Sequence, residues 1–259
     1  MYVRKVPIFQ HGAILRKEML SELSETFYLS EDLKYTGYSD GILYGCNLTT
    51  TETAILINPG AIYKGQKVFL LKDPVVIPYY PTNISYALVI KILGENHSAQ
   101  FLSNEAEISL LPTEQKQPSQ LEFCRFKLQP GAQLRYKYVD FEDRNTEFDT
   151  LNTIWASHAA PKHSTLQLDI MQAFASEMLA LTTLSPIDIS FCLLILAADR
   201  PVPFDAIAAY LQVTTNVRTK YKTNFELYSA LNKILQSRKN GHSPQNQSIP
   251  SKKGTVYLL

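Results

Sequence analysis

The sequence has no long apolar run. No stretch approaches the ~20 uninterrupted apolar residues of a membrane-spanning helix, and Arg4, Lys5 and Pro7 are not followed by the apolar core of a secretory signal. Both absences point to synthesis and folding in the cytoplasm, with no membrane partner. Cysteine is scarce as well. Cys46, Cys124 and Cys192 are odd in number and far apart, with no CxxC pair, which excludes a disulfide framework and leaves buried free thiols as the expectation. Net charge is nearly absent, at +1 from 25 Lys and Arg against 24 Asp and Glu. There is therefore no global field to attract a polyanion, and nucleic-acid binding would have to rest on a local patch.

Catalytic signatures are missing too. There is no G-x-S-x-G elbow, and the glycines at 37, 41 and 45 lack the spacing and the lysine of a phosphate-binding loop. Of the histidines His11, His97, His158, His163 and His242, only His158 and His163 lie close together. They sit in a proline-containing linker without a cysteine, so neither a metal site nor a cofactor is expected. The acidic run Asp140, Glu142, Asp143, Glu147 and Asp149 holds enough carboxylates for glycoside hydrolysis, but charge runs of this kind mark solvated loops. Tyr79-Tyr80 beside Pro81 is the best local group for sugar contact, which keeps a carbohydrate-binding module among the alternatives. The expectation is a protein that is not an enzyme, with no catalytic residue.

What is present is an ordinary globular balance, 45% hydrophobic and 19% charged, in a chain of 259 residues that suits two domains. Residues 12–26 place Ile14, Leu15, Met19, Leu20 and Leu23 at helical spacing and predict a short amphipathic helix. Gly37, Gly41, Gly45, Gly60 and Gly65 then punctuate short apolar runs, the pattern of short strands and tight turns. Strands are predicted at 54–57, 67–71, 85–93, 121–128 and 134–139. Asn58-Pro59-Gly60 reads as a turn in which Gly60 takes a positive φ. Pro74, Pro78 and Pro81 confine their stretch to an edge or a loop.

Past residue 160 the period becomes helical. Ser164 with Gln167 reads as a capping box ahead of Leu166, Ile170, Met171, Phe174, Met178 and Leu181, and Ser185-Pro186 with Asp188 repeats the device. Further helices are predicted at 204–211 and 216–236, the last with a stripe of Val217, Tyr221, Phe225, Tyr228, Leu231 and Leu235. The predicted class is α+β. A β-rich domain of short antiparallel strands, preceded by one helix, covers 1–160, a helical domain of about four helices covers 161–240, and a flexible polar tail covers 241–259. From residue 186 onward nine Lys or Arg stand against four Asp or Glu. With its helix, link, helix order, this keeps a nucleic-acid-binding regulator of helix-turn-helix type as an alternative.

Asp40-Gly41-Ile42 followed by Gly45, then Pro59-Gly60 followed by Gly65, resembles the "DGI-x-x-G" and "PG-x-x-x-x-G" turns of phage and prophage tail or baseplate proteins. The run Leu121-Glu122-Phe123-Cys124-Arg125-Phe126-Lys127-Leu128, with Gly131-Ala132 and Asp140-Phe141, looks like a continuation of the same kind of prophage protein. The resemblance implies a non-catalytic structural or adaptor subunit, made in the bacterial cytoplasm and then incorporated into a virion or tail particle. Its partners would be copies of itself, as a homo-oligomer, and other tail or baseplate proteins. Assembly modules present an apolar helix or a strand edge to a neighbour. The helix at 12–26 is the candidate here, with Ile14, Met19, Leu20 and Leu23 as protein-interaction residues. The same face could equally pack on the β part of its own chain.

Overall fold

The computed structural model describes residues 7–8, 11–12, 14–98 and 102–241. The fold is α+β. Helix α1 is Lys17–Lys34. Among the described residues nine strands follow: β1 Gly41–Gly45, β2 Leu48–Thr50, β3 Ala54–Ile57, β4 Gly60–Lys64, β5 Lys67–Leu71, β6 Val75–Pro78, β7 Ser85–His97, β8 Leu102–Pro112 and β9 Leu121–Lys127. Then come helices α2 Leu168–Leu179, α3 Pro186–Leu196, α4 Phe204–Thr215 and α5 Asn224–Lys239. The strands form three antiparallel sheets, ordered β1-β4-β5, β2-β3-β6 and β8-β7-β9.

Two hydrophobic clusters account for most of the buried side chains. Ile42, Ile55, Ile57, Ile62, Leu88, Phe123, Phe126 and Leu151 bring all three sheets together. Ile170, Phe174, Phe191, Ile207, Tyr210 and Leu231 join the four C-terminal helices, and Phe141 and Ile154 from the preceding irregular segment are buried with them. Each such side chain contributes on the order of 1.5–3 kcal/mol through removal of apolar surface from water.

Several expectations require correction. Helix α1 begins later than 12–26, after Arg16 in an extended conformation, so Ile14 precedes it, and it ends later because no Gly or Pro interrupts 17–34. Gly60 does not adopt a positive φ. It is needed because a Cβ there would lie 2.6 Å from both the Cys46 sulfur and the Tyr44 carbonyl oxygen. Gly45, its register partner across β1 and β4, has φ +66° and faces the backbone of Pro59 and Gly60 as closely. Residues 134–139 form no strand, only a single bridge from Arg135 to Thr150. Strand β8 went unforeseen, since its outer half is a polar, exposed run.

Ser164 and Gln167 form no capping box. Thr165 is held extended instead by a reciprocal backbone pair with His158, at 2.9 and 3.1 Å, and by its own hydroxyl donating to the Val202 carbonyl, so α2 starts only at Leu168. The last helix starts at Asn224 rather than 216. Asn216 takes a left-handed conformation (φ 54°) that ends α4, and the Thr223 side chain accepts from Glu226 N to cap α5. Val217 is therefore exposed in the link instead of lying on an apolar stripe. The expected tail falls outside the described residues except for Gly241.

Candidate interaction surface

No residue of α1 is buried. Six of its large apolar side chains, Leu20, Leu23, Phe27, Tyr28, Leu29 and Leu33, face solvent, and Leu15 and Ile14 extend the exposed surface ahead of the helix. Of the predicted interaction residues, the structure places Met19, Leu20 and Leu23 on one stripe of this helix, with Met19 half-buried. Ile14 lies outside the helix and is 84% exposed. Phe27, Leu29 and Leu33 belong to the same surface but lie beyond the predicted end of the helix. Their signal in the sequence was the continued absence of a helix breaker.

The helix is anchored near its C-terminal end. The Asp32 carboxylate accepts from Val68 N on β5 at 3.0 Å. Tyr35, which follows the helix, packs edge-on against Tyr38 with ring centres 5.4 Å apart and lies 5.9 Å from the ring of Tyr63 on β4. Tyr28 and Phe27 overhang a groove of about 770 Å³ whose other wall is Val68, Leu70 and Ile108. A helix held at one end, with its apolar side chains in water, is an arrangement that loses free energy until something covers it.

The glycine turns are joined by one side chain. Asp40, at the head of the first motif, accepts a hydrogen bond from Gly65 N, the last residue of the second, at 3.0 Å. Gly41 admits the segment 157–159 against β1: a Cβ there would stand 2.6 Å from the Ser157 carbonyl oxygen. Ile42 N donates to Ser157 O at 2.8 Å and Ala159 N to Ile42 O at 2.9 Å. The motifs thus build the platform of β1, β4 and β5 from which α1 projects.

The other candidate groups are placed separately. Tyr79 is buried and its hydroxyl donates to Thr51 O, whereas Tyr80 is 73% exposed, so the two rings form no common sugar platform. The acidic run is used internally: Asp143 takes two hydrogen bonds from Arg135, both 2.6 Å, and Asp140 accepts from Asp143 N. Its pairing with Arg135 holds Asp143 below the usual carboxylate range. His158 and His163 do not converge. His163 packs near Phe204, while His158 lines a cavity of about 510 Å³ with Cys46, Tyr138, Arg144 and Asp169. Burial lowers the His158 imidazole to about 4 and raises the Cys46 thiol to about 11. At neutral pH that pair is a neutral ring and a protonated thiol, neither tuned for proton transfer near pH 7.

Among the described residues no group of three or more His, Cys, Asp or Glu could hold a metal ion, and no helix is long and apolar enough to cross a membrane. The link between α4 and α5 runs from 216 to 223, longer than the ~3–4-residue turn of a helix-turn-helix.

The fold and this surface define an α+β protein with an uncovered apolar helix. No family model matches the chain, and no curated protein matches it in sequence. Among solved structures, one described as the crystal structure of TssK is similar over 93% of this chain and 72% of its own, at 11% identity and a TM-score of 0.37. A likeness at that level carries no argument about function.

Proposed function

We propose that the chain is a non-catalytic structural or adaptor subunit of a phage- or prophage-type tail or baseplate, acting through protein-protein assembly. The observation that carries the reading is α1, an 18-residue helix with no buried residue and a row of large apolar side chains in solvent. The resemblance of the two glycine motifs supplies the setting. In this reading residues 1–160 form the assembly part and 161–240 a helical part, followed by a tail at 241–259. The protein is made in the bacterial cytoplasm and joins copies of itself and other tail proteins in a particle.

Light scattering coupled to size exclusion, over a wide concentration range, tests it. The wild-type chain is expected to associate, and Leu20→Glu/Leu23→Glu/Phe27→Glu to stay monomeric with stability changed by only about 0.5 kcal/mol per exposed site. A wild-type chain that is monomeric throughout and captures no tail protein would sink the reading.

A further inference from the structure

A second uncovered surface lies on the helical part. The α4–α5 link and the exposed side of α5 enclose a groove of about 920 Å³. Val217, Tyr221 and Phe225 are among its apolar lining, and Lys220, Lys222 and Lys233 bring positive charge to it. All three lysines are exposed, and Glu226 is the one carboxylate among the described residues lining the groove. Phe225 is firmly seated: its ring stacks on Trp155 at 5.0 Å, and the Arg125 guanidinium covers Trp155 at 3.7 Å.

The charge of α1 is the opposite. Its 18 residues hold five acids and two lysines, a net charge of −3. The arrangement is ordered. Met19, Leu23 and Phe27 form one apolar row, and Glu18 and Glu22 flank it, each about 100° round the helix from the apolar residue that follows it, while Glu25 lies further round. A helix of this kind laid in an apolar groove places its apolar row on the floor and its glutamates toward a basic rim. A chain that is almost neutral overall therefore carries two uncovered apolar surfaces of opposite charge.

We infer that α1 of one copy docks in the α4–α5 groove of a second copy, with Met19, Leu23 and Phe27 against Val217, Tyr221 and Phe225, and Glu18 and Glu22 facing Lys220, Lys222 and Lys233. The inference rests on the assembly reading and deepens it by naming the partner and the contact. The two surfaces are different patches of one molecule, so the contact is head-to-tail. Each added copy leaves one helix and one groove unfilled, and growth ends only where a ring closes. Because the charged rim is solvent-exposed, association weakens as salt rises.

A charge swap on the full chain tests this. Glu18→Lys/Glu22→Lys and Lys220→Glu/Lys222→Glu/Lys233→Glu alter exposed side chains apart from the half-buried Glu22, and both variants are expected to keep a melting temperature close to wild type. Each alone should lose association in light scattering, because like charges then meet. An equimolar mixture should regain it, since every contact between unlike variants again pairs acid with base. A groove variant that associates like wild type, while the Leu20, Leu23 and Phe27 variant does not, overturns this contact but leaves assembly through α1 standing. Duplex DNA shifted by the wild-type chain and not by the groove variant, with no rescue in the mixture, overturns it in favour of a nucleic-acid groove. Absence of any self-association removes the proposed assembly and this contact together.

Discussion

At the scale of single residues, two glycines and one histidine carry the most consequence. Gly45 and Gly60 face each other across β1 and β4 at a separation that leaves no room for a Cβ on either. Gly60→Ala pushes a methyl into the backbone of Cys46 and Tyr44, which cannot yield as a flexible side-chain end would. A loss of at least ~2 kcal/mol is expected in urea denaturation, the scale of overpacking in a well-packed core. Gly65→Ala meets nothing within 4 Å and costs only its positive φ, so it should be the milder change. His158 gives the pH response. The unfolded ring takes up a proton near 6.5, while the folded one resists until about 4. Stability is therefore full above that window, falls by about 1.4 kcal/mol per pH unit as pH drops through it, and levels off below it. Denaturation of wild type and His158→Gln at a series of pH values checks this; parallel curves would show that another group is responsible.

At the scale of elements, α3, α4 and α5 are tied by one buried carboxylate. Asp188 accepts from the Ser185 hydroxyl at 2.7 Å, from the Tyr210 hydroxyl at 2.8 Å and from Arg238 Nε at 2.9 Å. Burial pushes its carboxyl up, but these hydrogen bonds together outweigh burial and hold it below the usual range. Replacing Asp188 with Ala leaves Arg238 buried without this partner, and the expected cost is ~3–5 kcal/mol in equilibrium denaturation. A loss under 1 kcal/mol would mean that the arginine escapes to water. The local half of this arrangement was legible, since Ser185-Pro186 with Asp188 reads as a helix start and is one. The partners on α4 and α5 were not, because 22 and 50 residues of chain separate them from Asp188. Ser164 and Gln167 show the reverse case: a cap-like pattern was overridden when Thr165 paired with His158.

At the scale of the whole molecule, the change from strand to helix near residue 160 does not coincide with an edge of the helical core. Phe141 and Ile154 are buried among the helices, the Tyr228 hydroxyl donates to Phe141 O, and the Asn224 amide donates to Ala156 O at 2.7 Å. Residues 161–241 expressed alone are expected to melt without a cooperative transition. A fragment beginning at 140 should recover it, as followed by near-ultraviolet circular dichroism. A sharp transition in the shorter fragment would establish that the helices fold as a separate unit.

The sequence by itself determined the α+β class, most of the strands between 54 and 128, the helical period after 160 and the amphipathic character of the helix at the start, because these are set by neighbours a few residues apart. Tertiary structure alone decided that Gly60 is required for close approach rather than for a turn, that Asp143 of the acidic run holds Arg135, that Tyr79 and Tyr80 part company, and that the apolar face of α1 is left uncovered. Each of these depends on which segments meet in space, and a hydrophobic stripe has the same pattern in sequence whether its own fold covers it or a neighbour must.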